Sequence, residues 1–555
     1  MTKYIFVMGG VLSGVGKGTA AASIGRILKE YGFNVTAIKI DPYINYDAGT
    51  LRPTEHGEVW VTEDGGEIDQ DLGIYERFLN MSLSKRNNIT TGQVYKALID
   101  KERAGFFLGK TVQFVPHVVD EIKSRIVEVS QNYEIAIVEI GGTVGDYENI
   151  PFLLAAKALE REVGKENLIY VLVSYLPVPF NIKEPKTKPT QHAIQALLSH
   201  GIFPDFVLCR SHESLDDVRK KKIEQFLNIK SEKIISAPDV LNIYTIPINF
   251  EKEELGKKIL KELGLKQKKE ADWSRWQELL ENLEKAEKEV KVAIVGKYLD
   301  IGSYQLEDSY ISIRESLNHA GAHLKVKPKI FWFDSKDFEK SDENIVQLKH
   351  YDGIIIPGGF GSSGVEGKIK AIKFARENKI PFLGLCFGLQ LAVIEFARNV
   401  CCLHNANTTE IDPNTEHAVI DLLPWQKELL EKGIYGSSMR LGAYPAKIKP
   451  GTIVYELYSR FDKLKREQDN FYVFERHRHR YEVNPKYHKI LQEKGLIFSG
   501  IYCKDDTELV EFIELPRELH PFFVATQAHP EFKSTFESPS PLFYGFLEAC
   551  LKNSN

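Results

Sequence analysis

Six cysteines in 555 residues are too few and too scattered to staple this chain. Cys209, Cys386, Cys401, Cys402, Cys503 and Cys550 show no CxxC spacing. Neither a disulfide framework nor a metal knuckle is expected, and reduced thiols in a cytoplasmic enzyme fit this usage. No apolar run is long enough to span a membrane. The run Tyr4–Val11 is short and leads straight into a glycine loop, which reads as a buried strand and not as a signal peptide. A strong charge of one sign is also missing. The 72 Lys and Arg against 77 Asp and Glu leave a formal net charge of -5, which argues against a general nucleic-acid binder. Short repeats and low-complexity tracts are absent. What is present is an ordinary globular composition, 43% hydrophobic and 27% charged, at a length that calls for two or more cores.

Short apolar runs alternate with helical spacing in both halves. Tyr4–Met8, Asn34–Ile40, Ile135–Ile140, Leu168–Val173 and Phe206–Cys209 read as strands, with helices over Lys17–Tyr31 and Phe152–Val163 between them. A fresh pattern begins at Lys291–Gly296 and continues through Gly353–Pro357 and Ile380–Leu385. Such alternation predicts two α/β domains, each a doubly wound parallel sheet covered by helices on both faces. Between them, Glu251–Val290 is rich in Lys and Glu. Trp273, Trp276, Leu279, Leu280 and Leu283 recur there at helical intervals. This segment is either an amphipathic connector docked by that stripe or a solvated linker. The expected boundaries are a first domain over 1–266, a helical linker over 267–290 and a second domain over 291–555.

Two pieces of chemistry stand far apart. Gly10-Val11-Leu12-Ser13-Gly14-Val15-Gly16-Lys17-Gly18-Thr19 joins the first strand to the first helix. Backbone N–H groups of such a loop, with the helix N-terminus, can cradle a phosphate, and Lys17 can reach its terminal oxygens. Five residues separate Gly10 from Gly16 where the common motif has four, and Gly18 stands where Ser or Thr would bind magnesium. The metal then needs other ligands, and acidic residues at strand ends are the candidates: Glu139 ahead of Gly141-Gly142, and Asp71. Lys186-Thr187-Lys188-Pro189-Thr190-Gln191 either holds a second polyanionic substrate or is an exposed basic turn. Lys220-Lys221-Lys222 reads as a solvated run.

The second piece is Gly384-Leu385-Cys386-Phe387-Gly388, which has the form of a nucleophile elbow. The flanking glycines permit the sharp turn, and the following helix N-terminus favours thiolate. His529 and Glu531 sit two apart and face one way on extended backbone, so Glu531 can steady the imidazole. Pro357-Gly358-Gly359-Phe360-Gly361 either offers oxyanion N–H groups or is a structural turn. In Arg476-His477-Arg478-His479-Arg480, one arginine clamping a substrate carboxylate is the sharper reading. A phosphate cradle joined to a thiol amidohydrolase suggests that ATP activates an acceptor while glutamine supplies ammonia.

From about Tyr4 to its end the chain resembles the CTP synthase family, glutamine-hydrolysing enzymes that aminate UTP. The resemblance rests on Lys39-Ile40-Asp41-Pro42-Tyr43-Ile44-Asn45, His56-Gly57-Glu58-Val59, Glu139-Ile140-Gly141-Gly142-Thr143-Val144-Gly145-Asp146, Lys186–Gln191, Pro357–Gly361 and Glu475–Glu482. The unusual phosphate loop is also this family's form. The resemblance implies an N-terminal amidoligase and a C-terminal class I, triad-type glutaminase with Cys386, His529 and Glu531 as the triad. It implies that Gly14, Val15, Gly16, Lys17, Gly18 and Thr19 hold ATP together with Asp71, Asp239 and Val240, and that Asp71 and Glu139 hold Mg2+. Ser13, Lys186, Thr187, Lys188, Pro189, Thr190, Gln191 and Lys222 would meet UTP, and Asp146, Tyr147 and Glu148 the inhibitory product CTP. L-glutamine would meet Gly359, Phe387, Gly388, Leu389, Gln390, Glu410 and Arg480. GTP as allosteric activator, with Ser437–Gly442 as a lid, homotetramers built as dimers of dimers, and filaments are further implications. Leu51-Arg52-Pro53 departs from the Met-Ser-Pro of bacterial members, and Pro238 stands where a lysine is common beside the ATP base. An amidotransferase of the cobyric acid type, acting on carboxylates, and an ATP-switched scaffold are the alternatives. The first predicts no use of UTP, and the second predicts assembly without glutaminase turnover.

Overall fold

A computed structural model describes residues 1–52, 56–181, 184–296, 307–341, 343–359, 361–431, 438–504 and 507–553. Pro53, Phe360 and Ser437 lie outside the described residues. The chain divides into two compact units, 1–50 with 70–275, and 51–69 with 276–555.

The first unit is built on a seven-stranded parallel sheet. Its strands are β1 (Lys3–Gly10), β2 (Val35–Asp41), β5 (Asn88–Thr90), β6 (Ile135–Ile140), β7 (Leu168–Tyr175), β8 (Phe206–Ser211) and β9 (Ile234–Pro238). β3 (Val59–Val61) and β4 (Glu67–Asp69) form an antiparallel hairpin that belongs to the other unit. The sheet order is β5-β2-β6-β1-β7-β8-β9. Tyr4, Phe6 and Met8 share one core cluster with Ile38, Ile40, Val138 and Ile140, while Ile5 and Val7 are as fully buried on the other face. Both faces of β1 are therefore apolar, as a strand covered on two sides requires. The central place of β1 puts the glycine loop at the carboxyl edge of the sheet, next to the end of β6.

The second unit holds a ten-stranded mixed sheet. Five strands are parallel: β10 (Glu289–Gly296), β11 (Lys327–Asp334), β12 (Gly353–Ile356), β13 (Phe382–Leu385) and β22 (Phe523–Thr526), in the order β11-β10-β12-β13-β22. Val292 and Ile294 join one core cluster, and Ala293 and Val295 the other, so helices cover this part on both faces. The parallel pattern read from the sequence covers β10, β12 and β13 and does not include β11 or β22. It leaves out an antiparallel extension, β21-β20-β16-β18-β17, formed by β16 (Arg440–Ile448), β17 (Lys465–Glu467), β18 (Asn470–His479), β20 (Ile497–Lys504) and β21 (Thr507–Glu514). Three further short strands, β14 (Ala406–Thr408), β15 (His417–Asp421) and β19 (Glu482–Val483), make a small sheet of their own.

The connector is helical over Ser274–Glu284 and buries Trp276, Leu279 and Leu280, so the apolar stripe docks. The Trp276 ring packs edge-on against Phe536, with centroids 4.9 Å apart. Among the described residues no helix is long and apolar enough to cross a membrane.

Candidate functional site

In the first unit the loop 11–16 leaves β1 and turns into the helix Lys17–Glu30. Gly14 and Gly16 have φ of 73° and 90°, where an L side chain is strained. A Cβ on Gly16 would also meet the Arg210 guanidinium. Lys17 is buried and donates from Nζ to the Gly142 carbonyl at 2.8 Å. Burial lowers its pKa, against the opposing pull of Glu139.

Beside Lys17 lies a group the sequence reading had not assembled. Lys39, on β2, donates to Glu139 Oε1 at 3.1 Å and also to Asp71, with Asp41 Oδ1 3.8 Å away. Burial opposes the Lys39 charge, but Asp71, Glu139 and Asp41 outweigh it and hold the ammonium well above its usual range. Burial pushes the Glu139 carboxyl up, with Lys39 opposing. Tyr75 donates its hydroxyl to Glu139 as well. Lys39 was visible inside Lys39–Asn45, yet only the pairing of β2 with β6, Lys39 opposite Glu139, gives it a role.

Gly18 faces both carboxylates. A Cβ there would lie 3.1 Å from Asp71 Oδ1 and 3.5 Å from Glu139 Oε2. A side chain there would press on Asp71 by a few tenths of an ångström and touch Glu139 at ordinary contact distance. Asp71 and Glu139 thus converge on the loop. Carboxylates are the donor type that magnesium takes together with phosphate oxygens and water, although among the described residues no group of three or more His, Cys, Asp and Glu is assembled.

A narrow pocket opens beside Gly16, walled by Val173, Leu208, Arg210, Pro238 and Phe250. Asp239 accepts from Arg210 Nη2 at 2.6 Å at its rim, followed by the half-buried Val240. Arg210 went unnoticed in the sequence, because a lone arginine at a strand end carries no signal. The segment Lys186–Gln191 enters the helix Lys188–Ser199. Thr190 is buried against Ser174 Oγ at 2.7 Å, Gln191 reaches Thr187 Oγ1, and Lys186 and Lys222 both pair with Glu184. Asp146 accepts from the Thr143 N–H and hydroxyl, while Ser13, Tyr147 and Glu148 are exposed.

In the second unit β13 is followed by Cys386, whose φ of 51° and ψ of -102° mark a strained elbow before the helix Phe387–Asn399. Gly384 and Gly388 are imposed by packing. A Cβ on Gly384 would fall 2.8 Å from Ala525 Cβ, and one on Gly388 would strike the Ile356 carbonyl. His529 follows β22, the strand next to β13. A Cβ on Gly358 would fall 2.9 Å from His529 Cε1 and 3.6 Å from Cys386 Cβ, so thiol and imidazole flank one small space. His529 Nδ1 bonds Glu531 Oε1 at 2.7 Å. Burial by itself would lower the His529 pKa, but Glu531 and Cys386 outweigh it and raise the imidazole to about 10.

Around them, Gln390 donates to the Tyr481 carbonyl at 2.8 Å and to Gln527 Oε1 at 3.2 Å, and Gln527 Nε2 lies 3.8 Å from Cys386 Sγ. Glu410 accepts from the Gly361 N–H at 2.8 Å, next to Gly359. Arg480 donates to Ser438 Oγ at 2.8 Å. Phe387, Gly388 and Leu389 form the buried first turn of the helix. Gln527 was missed, since an isolated glutamine has no pattern to announce it.

A family model described as CTP synthase N-terminus matches residues 3–265, and one described as glutamine amidotransferase class-I matches residues 305–549. A CTP synthase of Pyrococcus abyssi is 51% identical over 549 residues, covering 99% of this chain and 98% of that protein. The chain belongs to the CTP synthase family. Another member, from Sulfolobus acidocaldarius, is 52% identical over 552 residues and 99% of each chain. A solved structure described as the Trypanosoma brucei CTPS glutaminase domain with bound acivicin is 36% identical, with a TM-score of 0.42, and covers 47% of this chain and 94% of that one. Family membership agrees with the resemblance read from the motifs.

Proposed function

We propose that this chain makes CTP from UTP, with ATP as co-substrate and ammonia drawn from glutamine. The observation that carries the reading is the Cys386/His529/Glu531 set in a chain whose other unit places Lys17 beside two carboxylates at a glycine loop. Cys386 Sγ attacks the glutamine side-chain carbonyl. His529 takes the thiol proton and delivers it to the departing nitrogen, and Glu531 holds the imidazole by its Nδ1. The N–H groups of Gly359 and Phe387 face the developing oxyanion. Water then enters by the same base and releases glutamate. Gly388, Leu389, Gln390, Glu410 and Arg480 hold the glutamine, with Arg480 on its carboxylate.

In the amidoligase, over 1–266, Gly14–Thr19 wrap the ATP phosphates, Lys17 neutralises the transferring phosphoryl, and Asp239 and Val240 border the base. Arg210 belongs to this pocket as well. Lys186–Gln191, Ser13 and Lys222 hold UTP, whose C4 oxygen is phosphorylated and then displaced by ammonia. Asp71 and Glu139 would hold Mg2+, which supplies charge neutralisation at the phosphates. Lys39 pairs with both carboxylates and holds them in place. Residues 267–290 link the amidoligase to a glutaminase over 291–555. Feedback inhibition by CTP at Asp146, Tyr147 and Glu148, activation by GTP, a homotetramer able to form filaments, and a cytoplasmic location complete the reading.

A spectrophotometric assay for CTP with UTP, ATP, Mg2+ and glutamine, with and without GTP, tests it. Consumption of glutamine and ATP with UTP left intact would refute the acceptor. Cys386→Ala is expected to abolish synthesis from glutamine while sparing synthesis from added ammonia, and Lys17→Ala to abolish both. Loss of both with C386A would refute separate sites.

A further inference from the structure

Alternation along β18 sends Arg476 and Arg478 to one face and His477 and His479 to the other. The histidines meet Glu511 and Glu482, buried together with Arg440. The arginines meet carboxylates four hundred positions earlier in the chain. Arg476 donates from Nε to Glu63 Oε1 at 3.1 Å and from Nη1 to the Val61 carbonyl at 3.0 Å, and Arg478 donates from Nε to Glu67 Oε1 at 2.8 Å. Lys533 adds a second cation to Glu63 at 3.2 Å. Trp60, on β3 and fully buried, sits 4.9 Å from the Phe532 ring, and Phe532 stacks on His529 at 5.0 Å with planes 16° apart. The same strand meets the thiol site by its backbone: the Arg476 carbonyl accepts from the His529 N–H at 2.7 Å, and the Arg478 carbonyl lies 3.7 Å from Cys386 Sγ.

We infer that Trp60, Glu63 and Glu67 are positioning residues for the glutaminase reaction: the two carboxylates anchor β18, and Trp60 holds Phe532 against the His529 ring, so that nucleophile and base share one frame. The inference rests on the glutaminase reading of Cys386 and His529. All three residues lie on the 51–69 excursion, outside the 305–549 stretch that matches the amidotransferase family model. Arg476 is 1% exposed. Removing its carboxylate partner leaves a buried cation to find another, and the strand must move for it to do so. A displacement of a fraction of an ångström at the thiol or imidazole is felt directly in rate.

The test uses the full-length chain and four variants: Cys386→Ala, the isosteric pair Glu63→Gln with Glu67→Gln, Trp60→Ala, and Trp60→Phe, which keeps an aromatic ring. Readouts are glutaminase kcat and KM, the pH midpoint of Cys386 alkylation by iodoacetamide, ammonia-dependent CTP synthesis, and Tm. E63Q/E67Q and W60A are expected to lower glutaminase kcat by about tenfold, with KM for glutamine little changed, and to displace the alkylation midpoint. W60F keeps most of the rate, and ammonia-dependent synthesis stays near that of the parent. Unchanged kcat and midpoint in E63Q/E67Q and W60A would overturn the proposal. So would a fall in kcat matched by equal losses of ammonia-dependent synthesis and of Tm, which marks general unfolding. Persistent glutaminase activity in C386A would overturn the underlying reading instead.

Discussion

Gly384→Ala pits two physical effects against each other. In the middle of a strand, glycine costs about 0.5–1 kcal/mol relative to alanine, so propensity alone makes this substitution stabilising. The surroundings of Gly384 reverse the sign. The new methyl would fall 2.8 Å from Ala525 Cβ on β22 and 3.0 Å from both the carbonyl carbon and oxygen of Gly388. Ordinary carbon contacts need about 3.5–4.0 Å, so roughly 1 Å must be found. Neither neighbour is the end of a flexible side chain. Ala525 is four residues before His529, and Gly388 is two after Cys386, so relief moves the base, the nucleophile or both. Overpacking of this kind costs about 1–3 kcal/mol, which exceeds the gain in propensity. A displacement near 1 Å at reacting atoms costs about a hundredfold in rate, about 2.7 kcal/mol of barrier. Glutaminase kcat/KM is therefore expected to fall by about two orders of magnitude, while ammonia-dependent synthesis continues and the urea midpoint drops modestly. A G384A protein with parental glutaminase activity and a raised urea midpoint would refute the packing argument.

The other perturbations are simpler. The His529 pKa, raised to about 10 from 6.5, means that its proton stabilises the native state. That contribution is complete below about pH 6.5 and is lost as pH rises toward 10. Glu531→Gln removes a main cause, so Tm should fall less steeply between pH 7 and 10 than in the parent; an identical slope would sink this account. Arg440 bridges Glu482 and Glu511 in the core, at 3.0 and 2.6 Å, and Arg440→Met should cost roughly 3–5 kcal/mol in urea unfolding because two buried carboxylates lose their cation. Glu511, pulled down to about 2 against burial by Arg440 and then His477, contributes stability that is present above about pH 4.5 and lost as pH falls toward 2. The acid limb of Tm should therefore move to higher pH in R440M, and an unmoved limb would show that Arg440 does not hold Glu511.

Much of the fold was legible because the strands buried on two faces are continuous apolar runs. Both halves could be divided into strand and helix from such runs and from the glycine turns at their ends. The antiparallel extension was not legible. Arg440–Ile448 is broken by Gly442 and Pro445, and Asn470–His479 passes from aromatic residues into Glu475-Arg476-His477-Arg478-His479, whose histidines meet the buried Glu482 and Glu511 and whose arginines meet the hairpin, so neither shows a continuous apolar run. In Arg476–Arg480 the alternation of arginine and histidine was plain, but nothing local names Glu63, Glu67, Glu482 or Glu511 as partners.

The sequence by itself determined the two chemistries, since a glycine loop ending in lysine and a cysteine elbow are encoded in a few adjacent residues whose backbone needs are local. Tertiary structure alone decided what surrounds them. Lys39 reaches Glu139 because β2 pairs with β6 in one register, two distant carboxylates meet beside Gly18, and residues 51–69 pack with Phe532 and β18. Such arrangements depend on strand order and on buried charges finding counter-ions across hundreds of residues, and no short-range pattern records them.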